Sequence, residues 1–78
     1  MILKALNPVH QTTLNRAVNS LIKYNEWNDK REHAENEELD KEFKKADRMC
    51  EHYFDKFEYY LADLPKREQK VILKSELY

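Results

Sequence analysis

A length of 78 residues leaves room for one domain with a small core, near the size at which a chain begins to need a partner, a metal or oligomerisation for stability. With 41% hydrophobic and 37% charged residues and a formal net charge of −1, the composition excludes the uncompensated charge that keeps chains disordered. There is no glycine, so phosphate-cradling loops and dinucleotide fingerprints are excluded, and a nucleotide enzyme is not expected.

Residues 1–6 are mostly apolar and fit either an extended lead-in or the start of a helix. Asn7 followed by Pro8 is a helix-start signal, because the asparagine side chain can accept from orphan amides and proline lacks the donor that the first turn does not use. Leu14, Ala17, Val18, Leu21, Ile22 and Tyr24 follow at helical spacing, which predicts a first helix reaching about Trp27. A break is expected between Tyr24 and Asp29, where two asparagines and an aspartate cluster, and Asp29 with Glu32 has the form of a capping box. The second helix is then expected from about 30 to 63, with a later start at Asn36 as the alternative.

Within that second helix, Leu39, Phe43, Ala46, Cys50, Tyr53, Phe57, Tyr60 and Leu64 recur at spacings of 4, 3, 4, 3, 4, 3 and 4. At about 1.5 Å per residue they make one apolar seam roughly 37 Å long, against which the rest of a short chain must pack. Pro65 ends the helix, and residues 66–77 are expected to form a short third one. The alternative there is a strand through Val71, Ile72 and Leu73 that pairs with Ile2 and Leu3. The expected fold is all-α: a single domain, 1–78, made of a helical hairpin with one long helix and a short carboxyl-terminal helix. A first helix shorter than the second would leave part of the seam bare, and a homodimer closing into a four-helix bundle would cover it. Trp27, beside the expected break, would plug the end of the hairpin or anchor a partner.

Charge is unevenly spread. Residues 1–25 hold three bases and no acid, residues 26–63 hold thirteen acids against seven bases, and residues 64–78 hold four bases against two acids. Glu37 with Lys41 and Asp40 with Lys44 are acid-before-base pairs four apart, ordinary surface support. Asp47, Glu51, Asp55 and Glu58 instead set like charges beside one another, which is mildly destabilising on a helix and brings the fold no evident return. That ridge flanks the seam, while Lys41, Lys45, Arg48 and Lys56 lie further round. The candidate partner-binding residues are therefore Asp47, Glu51, Asp55 and Glu58, assisted by Glu35, Glu37, Glu38 and Tyr59, with carboxylates standing in for the phosphates of a nucleic acid in a basic cleft.

Nothing in the chain has the spacing of a catalytic site. His33 with Glu37 offers two ligands where a metal wants three or four, and His10, His33 and His52 read as solvated or rim residues, so no cofactor or metal is expected. Cys50 sits on the seam as a buried small hydrophobe, and a lone cysteine agrees with a reducing, cytoplasmic setting. The longest apolar runs are three residues, so neither a membrane span nor a signal-peptide core is expected. Lys66, Arg67, Lys70 and Lys74 gather near the carboxyl terminus, yet the larger surface is acidic and direct nucleic-acid binding is not expected.

Two short segments carry resemblances. LPKREQKVIL, from Leu64 to Leu73, resembles the first helix of region 4 in bacterial sigma factors and related phage regulators, although the DNA-reading helix-turn-helix that follows in that family has no counterpart here. VILKSELY, from Val71 to Tyr78, is similar to the carboxyl-terminal tails of several small anti-CRISPR proteins of Gram-positive phages that inhibit type II Cas9. The second resemblance implies a phage or mobile-element origin and carries no inhibitory residues with it. Together with the acidic ridge it sets the expectation: a non-enzymatic inhibitor acting in the host bacterial cytoplasm on a nucleic-acid-handling protein, with guide-RNA-loaded Cas9 as the named candidate. A structural or transcription-regulatory homodimer is the alternative.

Overall fold

Asn7 and Pro8 start the helical part of the chain as their chemistry dictates. A computed structural model describes residues 3–78, and in it the Asn7 side chain accepts a hydrogen bond from the Val9 amide at 3.1 Å, opening a 3-10 turn over Pro8–His10. That turn runs directly into α1, Gln11–Asn36, and the chain then folds back through α2, Asp40–Ala62, and ends with α3, Lys66–Leu73. No strand occurs among the described residues, and the architecture is all-α, a long antiparallel hairpin closed at its open end by a short third helix.

The hairpin turns at Glu37–Leu39 and not between Tyr24 and Asp29. The side chains expected to break the helix are engaged elsewhere: Asn25 donates to the Leu77 carbonyl at 3.0 Å, and Asn28 accepts from Arg31 at 2.6 Å. Asp29 and Glu32 lie inside α1, where the amides that a capping box would satisfy already have helical partners. The helix instead stops in a Schellman arrangement, with the Leu39 amide donating to Ala34 at 2.8 Å and the Glu38 amide to Glu35 at 3.2 Å. Glu38 takes the left-handed position with φ of 56°, where a glycine would ordinarily sit and where a residue with a Cβ costs about 1–2 kcal/mol.

Two consequences follow for the expected hairpin. α1 has 26 residues and α2 has 23, so the first helix is long enough to follow the second, and the uncovered part of the seam is confined to its start at the turn. Trp27 lies well inside α1 rather than at the end of the hairpin.

α2 is continuous through the middle of the seam. Ala46, Cys50 and Phe57 are buried against α1, Leu64 is buried just past the helix end, and Phe43, Tyr53 and Tyr60 are half-buried, while Leu39 stays 41% exposed at the turn. The large core residues collect at the open end of the hairpin: Leu14, Ala17, Val18 and Leu21 from α1 meet Phe57, Leu64 and Ile72. Toward the turn the buried contacts are Ala34, Ala46 and Cys50, all small, so the helices close on each other with little side-chain volume between them.

The open end is tied by polar contacts from distant parts of the chain. Glu68 of α3 is 2% exposed, and its Oε1 accepts from the Leu6 and Asn7 amides at 2.8 and 3.2 Å. Gln11 holds the lead-in as well, accepting from the Ala5 amide at 2.8 Å and donating to the Leu3 carbonyl at 3.0 Å. Val71, Ile72 and Leu73 are helical, and α3 stops at Leu73 rather than 77, with the Ser75 amide and hydroxyl both donating to the Ile72 carbonyl. The strand alternative therefore fails on its α3 side, while Ile2 lies outside the described residues.

Candidate interaction surfaces

Burying one stripe of α2 against α1 leaves the helix two shoulders, and their chemistry differs. On one shoulder stand Asp47, Glu51, Asp55 and Glu58, all exposed. Asp47 is used by the fold: it accepts from Arg31 Nη1 at 2.9 Å across the hairpin, while Nη2 of the same guanidinium donates to Asn28 at 2.6 Å. The Asp47 bond raises the Arg31 pKa above its ordinary value, against the opposing effect of burial. Glu51, Asp55 and Glu58 make no ion pair among the described residues, where the pairs are Lys23 with Glu26, Arg31 with Asp47, and Lys44 with Asp40.

The remaining candidates divide. Tyr59 is 74% exposed and stands four residues after Asp55, so it borders the acidic shoulder on the solvent side, its ring packed edge-on against Tyr60 at 5.5 Å. Glu35, Glu37 and Glu38 are exposed at the turn, where Glu35 and Glu38 line a groove with Leu39, Asp40 and Phe43, about one helical turn before Asp47. Glu37 is the C-cap of α1 and makes no ion pair with Lys41 among the described residues; Asp40 and Lys44 do pair, at 3.4 Å.

The other shoulder went unnoticed in the sequence. Arg16, Lys23 and Lys30 are spaced seven apart on α1, and Trp27 falls on the same stripe. Opposite them α2 contributes Lys45, Tyr53, Lys56 and Tyr60. A groove of about 490 Å³ near the turn is lined by Trp27, Ala34, Leu39 and Ala46, with Lys30 and Lys45 offset by Asp29 and Glu42. Lys30 Nζ lies 4.2 Å and Lys45 Nζ 5.8 Å from the centroid of the Trp27 ring. Further along the same crevice a smaller groove of about 250 Å³ is lined by Arg16, Asn19, Lys23, Tyr53, Lys56 and Tyr60, with Ser20 at its floor and no carboxylate. The seven-residue spacing of the α1 bases is the signal that pointed here, but it gains meaning only once the facing residues of α2 are known.

Cys50 is buried on the seam, and burial pushes its thiol pKa up, which keeps it protonated and unlike an activated nucleophile. Among the described residues no three His, Cys, Asp or Glu side chains gather as a metal site would require, and no helix is long and apolar enough to cross a membrane. His33 borders the groove near the turn, and His52 is exposed with its ring 5.1 Å from that of Tyr53.

No protein-family model, curated protein or solved structure matches this chain.

Proposed function

We propose that the chain is a non-enzymatic binding protein whose acidic shoulder occupies a basic, nucleic-acid-binding cleft of a bacterial protein and thereby blocks it. The observation that supports this most is the set Glu51, Asp55 and Glu58, exposed side by side on α2 with no ion pair among the described residues. Neighbouring carboxylates repel, and a fold that pairs Asp47 with Arg31 leaves these three without an ion pair among the described residues. Compensation from an outside cation is the natural complement, and a rigid helix presents the three carboxylates at little ordering cost on binding. Tyr59 beside them adds an amphipathic ring of the kind that anchors interfaces.

The partner class is a protein with a basic groove, and guide-RNA-loaded Cas9 is the candidate named by the likeness of VILKSELY to anti-CRISPR tails. In this fold that tail is structural: Ile72 is fully buried, Leu77 packs on the core and holds Asn25, and the Tyr78 ring lies 6.1 Å from Phe57.

The test is binding of purified Cas9 with guide RNA, read by co-elution and by protection of target DNA from cleavage. Inhibition that weakens steeply as salt rises is expected, and Glu51→Lys with Asp55→Lys should remove it while helicity stays. Absence of binding would eliminate Cas9 as the partner, and binding indifferent to the double reversal would eliminate the acidic shoulder as the contact.

A further inference from the structure

The acidic shoulder leaves the opposite side of the hairpin without a role, and that side is not a plain solvated face. The smaller groove collects cations from both helices, Arg16 and Lys23 from α1 and Lys56 from α2, between two tyrosines, Tyr53 and Tyr60. No carboxylate lines it, in a chain with more acids than bases. Neither Arg16 nor Lys56 forms an ion pair among the described residues. Lys23 reaches Glu26 at 3.4 Å, but both side chains are more than half exposed, so the contact yields readily to a stronger anion. Three like charges gathered around one groove raise the local positive potential and attract an anion.

We propose that this crevice binds single-stranded nucleic acid, with Arg16, Lys23 and Lys56 on successive phosphates and the rings of Tyr53 and Tyr60 against unpaired bases. The pairing of a positive track with half-buried aromatic rings is the pattern of sequence-tolerant single-strand binding. Asn19 supplies a neutral donor and acceptor between the cations. The two α1 cations of the groove, Arg16 and Lys23, stand about 10 Å apart along the helix, whereas the groove nearer the turn sets Asp29 and Glu42 beside Lys30 and Lys45, so the anion site is confined to the smaller groove. A rigid duplex suits the site less well, because its bases are stacked away from aromatic side chains lying in a narrow crevice between two helices. The inference stands apart from the acidic shoulder, since it uses none of the same residues.

The test is fluorescence anisotropy with a labelled oligouridylate of about a dozen nucleotides, with a heparin fragment of similar charge as the second probe. Binding in the micromolar range at low salt is expected, with a log–log salt slope of about −2 from three phosphate contacts. Arg16→Ala with Lys56→Ala, both at exposed positions, should weaken oligouridylate binding at least tenfold and flatten the slope to about −0.7. Tyr53→Leu should weaken the oligonucleotide while leaving heparin unchanged, with circular dichroism confirming the fold of every variant. No binding by the intact protein, or binding that the double alanine variant retains, would overturn the inference. So would heparin binding as tightly as the oligonucleotide with Tyr53→Leu without effect, which would make the groove a site for acidic polymers in general.

Discussion

The two shoulders of α2 flank the same buried seam, yet the fold treats them differently. The acidic one crosses to α1 by a single contact, Asp47 with Arg31, and its other carboxylates face outward. The basic one is built from both helices at once, with Arg16, Lys23 and Lys56 around the rings of Tyr53 and Tyr60. The seam decides that the hairpin forms, and the shoulders decide what it can touch. Glu51, Asp55, Glu58, Arg16 and Lys56 are all exposed, so they can be changed while the packing that holds the helices together stays intact, whereas Tyr60 packs on the core.

The largest effect should come from removing the support common to both shoulders. Phe57 is fully buried at the centre of the core, touching Phe54 and Tyr78 through its ring, and Phe57→Ala should cost about 3–5 kcal/mol. That is a large share of what a chain of this length has to lose, so urea unfolding should show a strongly lowered midpoint and both binding surfaces should fail together. Survival of either surface in that variant would mean that it does not depend on the hairpin.

A smaller effect of opposite sign is expected at the turn. Glu38→Gly removes the Cβ from a left-handed position and should stabilise the protein by about 1 kcal/mol, net of glycine's entropy in the unfolded chain, visible as a rise in melting temperature. Oligonucleotide binding should not respond, because the Tyr53 and Tyr60 groove lies toward the open end, and a change there would show that the turn shapes it; weaker binding of the acidic shoulder's partner would place Glu38 within that contact surface.

Much of the hairpin was legible in the sequence, and the parts that were not share a physical cause. Pro8 and Pro65 mark real boundaries, and the seam from Phe43 to Phe57 lies on one unbroken helix, because each depends on neighbours a few residues away. The turn was misplaced because a chain without glycine must put another residue at the left-handed position, and glutamate is not a turn signal. Asn25 looked like a breaker until the tail, 52 residues later, supplied a carbonyl for it. Glu68 carries no local signal of its role: it is buried as the acceptor for the lead-in amides, a role set by residues 61 and 62 positions away. The site divides in the same manner: the acidic ridge repeats along one helix and could be read directly, whereas Asp47's partner and the basic crevice arise only from the register between α1 and α2.

The central claim is that the acidic shoulder serves a partner at some expense to the fold, and Glu51→Lys tests it most directly. The substitution places a lysine between Asp47 and Asp55, replacing two repulsive neighbours by two attractive ones and one attractive neighbour, Arg48, by a repulsive one, so the protein alone should gain about 0.5–1 kcal/mol and melt a few degrees higher. Affinity for guide-RNA-loaded Cas9, measured on the same preparation, should fall by at least tenfold. A higher melting temperature with weaker binding is the expected result; a lower melting temperature with unchanged binding would show that the carboxylates serve the fold and not a partner.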